Sequence, residues 1–252
     1  MIKVILHGSN GKMGCVVEAL VREEPMMQVV AGVDRTGEML SDFPVFASMA
    51  ECDIEGDVVI DFSNAQAVDG LLEVCRERKL PVVLCTTGLS QEQLERAEQA
   101  AKEIAVLRSA NMSLGINLLQ KLLKEAASVL APAGFDMEIV EKHHKKKLDA
   151  PSGTALALAD SMKASLSGEY TYVYDRSTVR KERGEGEIGI VAVRGGTIVG
   201  EHDAIFAGCD EVLTFSHTAY SKSVFGKGAV EAAKFLAGKP AGRYDMSDVI
   251  QF

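Results

Sequence analysis

The chain has 252 residues, enough for one large domain or two small ones with a sizeable core. Its formal net charge of −9 disfavours nucleic acid as a partner, and no apolar run approaches the roughly 20 residues of a membrane helix. Hydrophobic residues at 47%, no Trp and 6% aromatics fit an α/β protein built on Val, Ile, Leu and Ala.

Ile2–His7 reads as a buried strand that runs into a glycine turn rather than a signal-peptide cleavage site. Met13, Val16, Val17, Leu20 and Val21 then follow the spacing of one helix face. Gln28–Val33 is a second strand ending at Asp34, and Asp57–Phe62 a third. Ala67, Val68, Leu71, Leu72 and Cys75 mark a helix before the strand Pro81–Cys85. Ser90 and Gln93 form a capping box for the next helix, and Ala105–Ser109 is a short strand. This alternation predicts βαβ crossovers and a Rossmann-like parallel sheet covered on both faces.

The pattern changes after Asn111. A long helix over about Leu114–Val129 leads to Phe135–Glu141, where apolar and polar side chains alternate. A helix follows Ser152. Ile188–Arg194, Thr197–Phe206 and Glu211–His217 are strand-like runs with no helix between them, which predicts an open mixed sheet with one face exposed. Gly184–Glu187 reads as a mobile loop, and the helix Ser223–Leu236 returns to the first domain. The expected fold is therefore α/β: residues 1–113 with 223–252 form one domain, and 114–222 an inserted α+β domain.

Five cysteines, an odd number without a C-x-x-C pair, fit reduced thiols in a cytosolic protein rather than a disulfide frame or structural zinc. No metal-ligand spacing is found.

Gly8-Ser9-Asn10-Gly11-Lys12-Met13-Gly14 lies between the first strand and first helix. Glycines there allow a tight turn and let backbone N–H groups approach a pyrophosphate at the helix N-terminus. Asp34 ends the second strand, 20 residues beyond Gly14, where a carboxylate can accept from adenosine ribose hydroxyls. Arg35 beside it can pair with a 2′-phosphate or stack on adenine, so NADH with NADPH tolerated is the expected cofactor use. Cys85-Thr86-Thr87-Gly88 and Ala110-Asn111-Met112-Ser113 close later strands, at the edge where open α/β sheets bind ligands.

The run Lys142-His143-His144-Lys145-Lys146-Lys147 is a positive patch within an acidic chain, and the most informative stretch is His143-His144-Lys145-Lys146-Lys147-Leu148-Asp149-Ala150-Pro151-Ser152-Gly153-Thr154. Pro151 stops any preceding helix and Ser152 caps the next. The N–H groups of Gly153 and Thr154, with two hydroxyls nearby, make a carboxylate site to which Lys147 adds full charge. His143 can donate a proton near neutral pH. Lys145 and Lys146 read as solvated loop, and His7, His202 and His217 as structural or contact residues.

Glu141–Ala155 closely resembles the signature E-x-H-H-x-x-K-x-D-A-P-S-G-T-A of the dihydrodipicolinate reductase family. Further matching segments are the G-x-x-G-x-M-G turn at Gly8–Gly14, D-F-S at Asp61–Ser63 with Phe62, T-T-G at Thr86–Gly88, A-N-x-S-x-G-x-N at Ala110–Asn117, R-G-G-x-I-V-G-E-H at Arg194–His202 and G-A-V at Gly228–Val230. The resemblance implies a nucleotide domain completed by the C-terminal helix, a substrate and oligomerisation domain, a cytoplasmic homotetramer, and a place in the diaminopimelate route to lysine. It also implies hydride transfer from NADH or NADPH to C4 of a small cyclic dicarboxylate, with loss of water. His143 would be the proton donor, Lys147 would assist and bind, and His144, Ser152, Gly153 and Thr154 would hold a carboxylate. The T-T-G and A-N-x-S segments would line the nicotinamide. Three positions depart from the family pattern: Cys85 where glycine is usual, Lys12 where arginine is frequent, and Asn64-Ala65 where proline is common. Two alternatives stay open on the residues alone: another small Rossmann dehydrogenase, and a non-catalytic nucleotide sensor.

Overall fold

A computed structural model describes residues 1–250. In chain order the elements are β1 (Ile2–His7), α1 (Lys12–Arg22), β2 (Met27–Val33), β3 (Val45–Phe46), β4 (Val58–Asp61), α2 (Ala65–Glu77), β5 (Val82–Leu84), α3 (Gln91–Ala100), β6 (Ala105–Leu107), α4 (Leu114–Leu130), β7 (Asp136–His143), α5 (Gly153–Lys163), β8 (Thr171–Val173), β9 (Glu187–Arg194), β10 (Gly200–Ala207), β11 (Val212–Ala219), α6 (Ser223–Leu236), β12 (Gly242–Tyr244) and α7 (Met246–Val249). The chain separates into two compact units: Met1–Leu114 together with the chain from Ser223 onward, and Gly115–Lys222.

The first unit is built on a parallel sheet in the order β12-β6-β5-β4-β1-β2-β3. Val4, Ile5 and Leu6 of β1 are all fully buried, as a central strand covered on both faces requires. Alternate side chains feed two cores. Ile5 and Val59 pack with Leu71, Leu72 and Cys75 of α2, whereas Val4, Leu6 and Ile60 pack with Val17 and Val21 of α1 and with α6. Each fully buried aliphatic side chain contributes about 1.5–3 kcal/mol relative to exposure. Asn64 accepts from the Gln66 N–H and caps α2, and Ser90 and Gln93 make the expected capping box on α3.

Helix α6 closes one face of this sheet through a run of small residues, Gly226, Gly228, Ala229, Ala232 and Ala233. A Cβ at Gly228 would lie 1.6 Å from the Met112 carbonyl oxygen, so only glycine allows that approach. Met112 itself is packed in the core beneath this helix.

In the second unit the mixed sheet runs β11-β10-β7-β9-β8, with β10 antiparallel to β11 and β7, and β7, β9 and β8 parallel. Helices α4 and α5 cover one face, burying Met137, Ile139, Ile188, Ile190, Ala204 and Phe206 against Leu123, Leu158 and Met162. Side chains alternate along β7, so Glu141 and His143 continue the covered face while Val140 and Lys142 point the other way. Val191 and Val193 of β9 are exposed on that opposite face.

Several features differ from the sequence reading. β7 runs on to His143 rather than ending at Glu141. β10 starts at Gly200, because Gly195 and Gly196 form a turn bonded to His143 and Lys145. Glu187, read as part of a loop, is buried at the start of β9 and paired with Arg176 and Lys181. The elements β3, β8, β12 and α7, of two to four residues, are too short to leave a periodic signal. Among the described residues no helix is long and apolar enough to cross a membrane.

The contact at Gly228 sets a stability test. Gly228→Ala should cost about 3 kcal/mol or more, since backbone must move. Gly70→Ala on α2, where an added Cβ meets nothing within 4 Å, should be neutral or stabilising by up to about 1 kcal/mol. Thermal melts of the two variants should therefore shift in opposite directions or by very different amounts; equal shifts would contradict the packing described for α6.

Candidate active site

The first group of candidate residues lies along the carboxyl edge of the parallel sheet. Gly8 follows β1, Asp34 and Arg35 follow β2, Phe62 follows β4, Cys85–Gly88 follow β5, and Ala110–Met112 come after β6. Strand order reverses beside β1, which pairs with β2 on one side and β4 on the other, the place where such sheets bind ligands. The glycine turn is tight. Gly8 has φ +81°, and a Cβ there would lie 2.7 Å from the Phe62 carbonyl oxygen; at Gly14 it would lie 2.3 Å from the carbonyl oxygens of Gly8 and Ser9. Gly11 provides no side-chain cap for α1, which leaves the first turn to an outside acceptor.

A pocket of about 240 Å³ opens here, lined by Gly8, Gly11, Asp34, Arg35, Phe62 and Asn64 among others. Asp34 Oδ1 accepts from the N–H and hydroxyl of Thr36, so this carboxylate shapes the turn as well as facing the pocket. Ser9, Thr86 and Met112 are buried, whereas Lys12, Arg35, Thr87, Gly88 and Ala110 are exposed and Asn10, Met13, Cys85 and Asn111 half-buried. Burial, with the nearby Asp61 carboxylate, pushes the Cys85 thiol well up, so it stays neutral. At the base of the pocket His7 Nδ1 lies 2.7 Å from the buried Asp61 carboxylate. This turn, pocket and acidic side chain fit the adenosine and pyrophosphate of a dinucleotide.

The second group surrounds the start of α5. Ser152 Oγ accepts from the Ala155 N–H and shares a 3.1 Å hydrogen bond with His202 Nε2, while the Ser152 N–H donates to Glu141 at 2.8 Å. Ser152 is thus committed inward, and the helix N-terminus is presented by Gly153 and Thr154. Lys147 Nζ lies 2.9 Å from the Asp149 carboxylate, and this pairing, helped by the Gly153 N–H, holds that carboxyl below its usual range. A carboxylate therefore already sits on Lys147, one of the donors expected to bind one. His144 is half-buried beside Lys147, with its Nδ1 unpartnered among the described residues; Lys145 and Lys146 are exposed.

Three residues here carry weight that the sequence reading did not assign. His143 Nδ1 lies 2.6 Å from Oε2 of the fully buried Glu141. Arg194 grips both oxygens of that carboxylate, each at 2.7 Å, and its Nη2 also donates to the Asp149 carbonyl oxygen at 2.7 Å. Burial alone would raise the Glu141 carboxyl, but the hydrogen bonds from Arg194, His143 and the Ser152 N–H hold it below the usual carboxylate range. His202, paired across the sheet with Glu141, meets His143 edge-on with centroids 5.2 Å apart. Lys142, counted in the basic run, is on the opposite sheet face, neutralised by Glu201 and Asp203.

A Rossmann-like sheet with a glycine turn and an acidic residue after β2 is the architecture of a pyridine-nucleotide-dependent oxidoreductase. Family models described as the N-terminus and the C-terminus of dihydrodipicolinate reductase match residues 2–112 and 115–250. The chain belongs to the dihydrodipicolinate reductase family. It is 57% identical over 251 residues to a 4-hydroxy-tetrahydrodipicolinate reductase of Caldanaerobacter subterraneus, covering 100% of this chain and 99% of that protein. The corresponding protein of Clostridium novyi is 46% identical over 251 residues, with the same coverage. A dipicolinate-bound dihydrodipicolinate reductase from Paenisporosarcina sp. TG-14 superposes with a TM-score of 0.82 at 25% identity, covering 99% of this chain and 100% of that one.

The buried His202 gives a pH test. Burial, then the charge of His143, push its imidazole down from 6.5 to about 4. On acidification through 6.5 the unfolded chain gains a proton there that the folded chain refuses until about 4, so stability falls as pH drops across that window. The loss amounts to about 3 kcal/mol at most. His202→Gln should flatten the decline in Tm between those pH values; an unchanged slope would show that His202 does not contribute it.

Proposed function

We propose that the chain reduces 4-hydroxy-tetrahydrodipicolinate to tetrahydrodipicolinate with loss of water, using NADH or NADPH, in the cytoplasmic diaminopimelate route to lysine. The observation that carries this reading is the Asp149 carboxylate held by Lys147 just before the start of α5, close in sequence to a histidine bonded to a buried glutamate. Those donors suit one carboxylate of a ring dicarboxylate, which on binding takes the place of Asp149. The first unit serves as the dinucleotide-binding domain and the second as the substrate domain.

In this reading the Gly8–Gly14 turn and α1 hold the pyrophosphate, Asp34 and Arg35 the adenosine ribose, and Phe62, Cys85–Gly88 and Ala110–Met112 the nicotinamide end. The nucleotide supplies a hydride to ring C4. Lys147, His144, Gly153 and Thr154 hold and orient the substrate, with Ser152 fixing the helix start. His143 supplies the accompanying proton. Because ionised Glu141 can only accept, Nδ1 of His143 carries the hydrogen that faces it, which makes Nε2 the nitrogen that binds and releases the transferable proton. Gly200 leaves room at that nitrogen, since a Cβ there would lie 3.1 Å from Nε2. The exposed valines on the uncovered face of the second sheet support the homotetramer that family membership implies. Dipicolinate, bound in the Paenisporosarcina structure, is a suitable inert probe of the same site.

Nicotinamide absorbance should fall when the purified chain meets the product of aspartate semialdehyde–pyruvate condensation. NADH should serve at least as well as NADPH, and a preference for NADPH above about a hundredfold in kcat/KM would contradict the role given to Asp34. His143→Ala should lower kcat by about 10²–10⁴-fold with little change in KM, as loss of a proton donor does. Lys147→Ala should harm both. No oxidation of either nucleotide would overturn the reading.

A further inference from the structure

The proton donor does not stand alone. Glu141 is two residues before His143 on β7, so both side chains emerge on the covered face, and Arg194 sits beside His143 on β9. This register brings the carboxylate, the imidazole and the guanidinium together without any loop. Glu141 is completely buried, and its four acceptor positions are filled. Oε1 takes the Ser152 N–H and one Arg194 nitrogen; Oε2 takes His143 Nδ1 and the other Arg194 nitrogen.

We propose that Glu141, clamped by Arg194, is the positioning residue of this reductase: one carboxylate fixes both the ring of the proton donor and the first turn of the substrate-binding helix. The inference rests on the reading of His143 and α5 given above.

Two physical arguments support it. A buried ion pair is by itself weak support for stability, because desolvation offsets much of the attraction. A carboxylate engaged by three separate elements instead sets a geometry. In addition, Arg194 shares the negative charge of Glu141. A lone carboxylate against His143 would favour the charged imidazole and resist release of its proton; a carboxylate already paired with a guanidinium orients the ring with less pull on the proton. Arg194 also holds the Asp149 carbonyl, so the loop carrying Lys147 is tied to the same group.

Glutamine is the informative replacement at position 141. It keeps the shape, yet its NH₂ must confront either the His143 Nδ1–H or the Ser152 N–H, so one of the two contacts is lost. The test uses the full chain and steady-state rates for wild type, Glu141→Gln, His143→Ala and the double variant. Glu141→Gln should lower kcat by about tenfold to a hundredfold, with the KM for nucleotide unchanged. In the His143→Ala background the same replacement should lower kcat by less than about threefold, because the imidazole it orients is gone, while its hold on the start of α5 shows as a raised KM for the dicarboxylate in both backgrounds. A Glu141→Gln enzyme with wild-type kcat, or equal losses in both backgrounds, would overturn the proposal. Should that variant fail to fold, ¹⁵N spectra of the wild-type imidazole decide. A neutral ring protonated on Nδ1 supports the proposal, and one protonated on Nε2 overturns it. The earlier reading fails separately: it falls if His143→Ala alone retains full activity.

Discussion

An ionised carboxylate removed from water costs several kcal/mol unless every lone pair is met, and that requirement organises the second unit around Glu141. Arg194 must come from β9, the Ser152 N–H from the start of α5 and the imidazole from the end of β7. The strand register that places Met137 and Ile139 in the core also delivers Glu141 and His143 to the same face. Core packing and chemistry therefore share one alternation. A slip of one residue along β7 would put the glutamate and histidine on the uncovered face and leave Arg194 without its partner.

The first unit answers a different constraint, close approach of backbone. At Gly8 and Gly14 any side chain would collide with carbonyl oxygens, and at Gly228 the same is true where α6 meets Met112. The glycine turn can stay open to a pyrophosphate because its own packing is backbone on backbone. Asn64, in the pair that departs from the family pattern, caps α2 by accepting from the Gln66 N–H.

Much of this was legible in the sequence, where the signals were local. Fully apolar runs gave the central strands, the i, i+3, i+4 spacing gave α1 and α2, and Ser152 was recognisable as a cap because Pro151 precedes it. Glu141 was visible only as a signature letter. Its role depends on β7 continuing to His143 and on Arg194, 53 residues away in sequence, and no local pattern reports such a pairing. The same holds for His202, 50 residues from the Ser152 it touches. The basic run misled in one respect: strand alternation turns Lys142 to the opposite face, where Glu201 and Asp203 cancel its charge. Edge strands such as β3 and β12 depend on their neighbours more than on their own few residues.

The central claim is that a carboxylate recognised by Lys147 and the start of α5 lies beside an imidazole held by Glu141. A crystal structure with the aromatic dicarboxylate probe tests this most directly. One ligand carboxylate should replace Asp149 on Lys147 Nζ and accept from the Gly153 N–H, with the Glu141–His143 hydrogen bond intact. A ligand bound away from Lys147 and Gly153, or a His143 ring detached from Glu141 in the complex, would contradict the account.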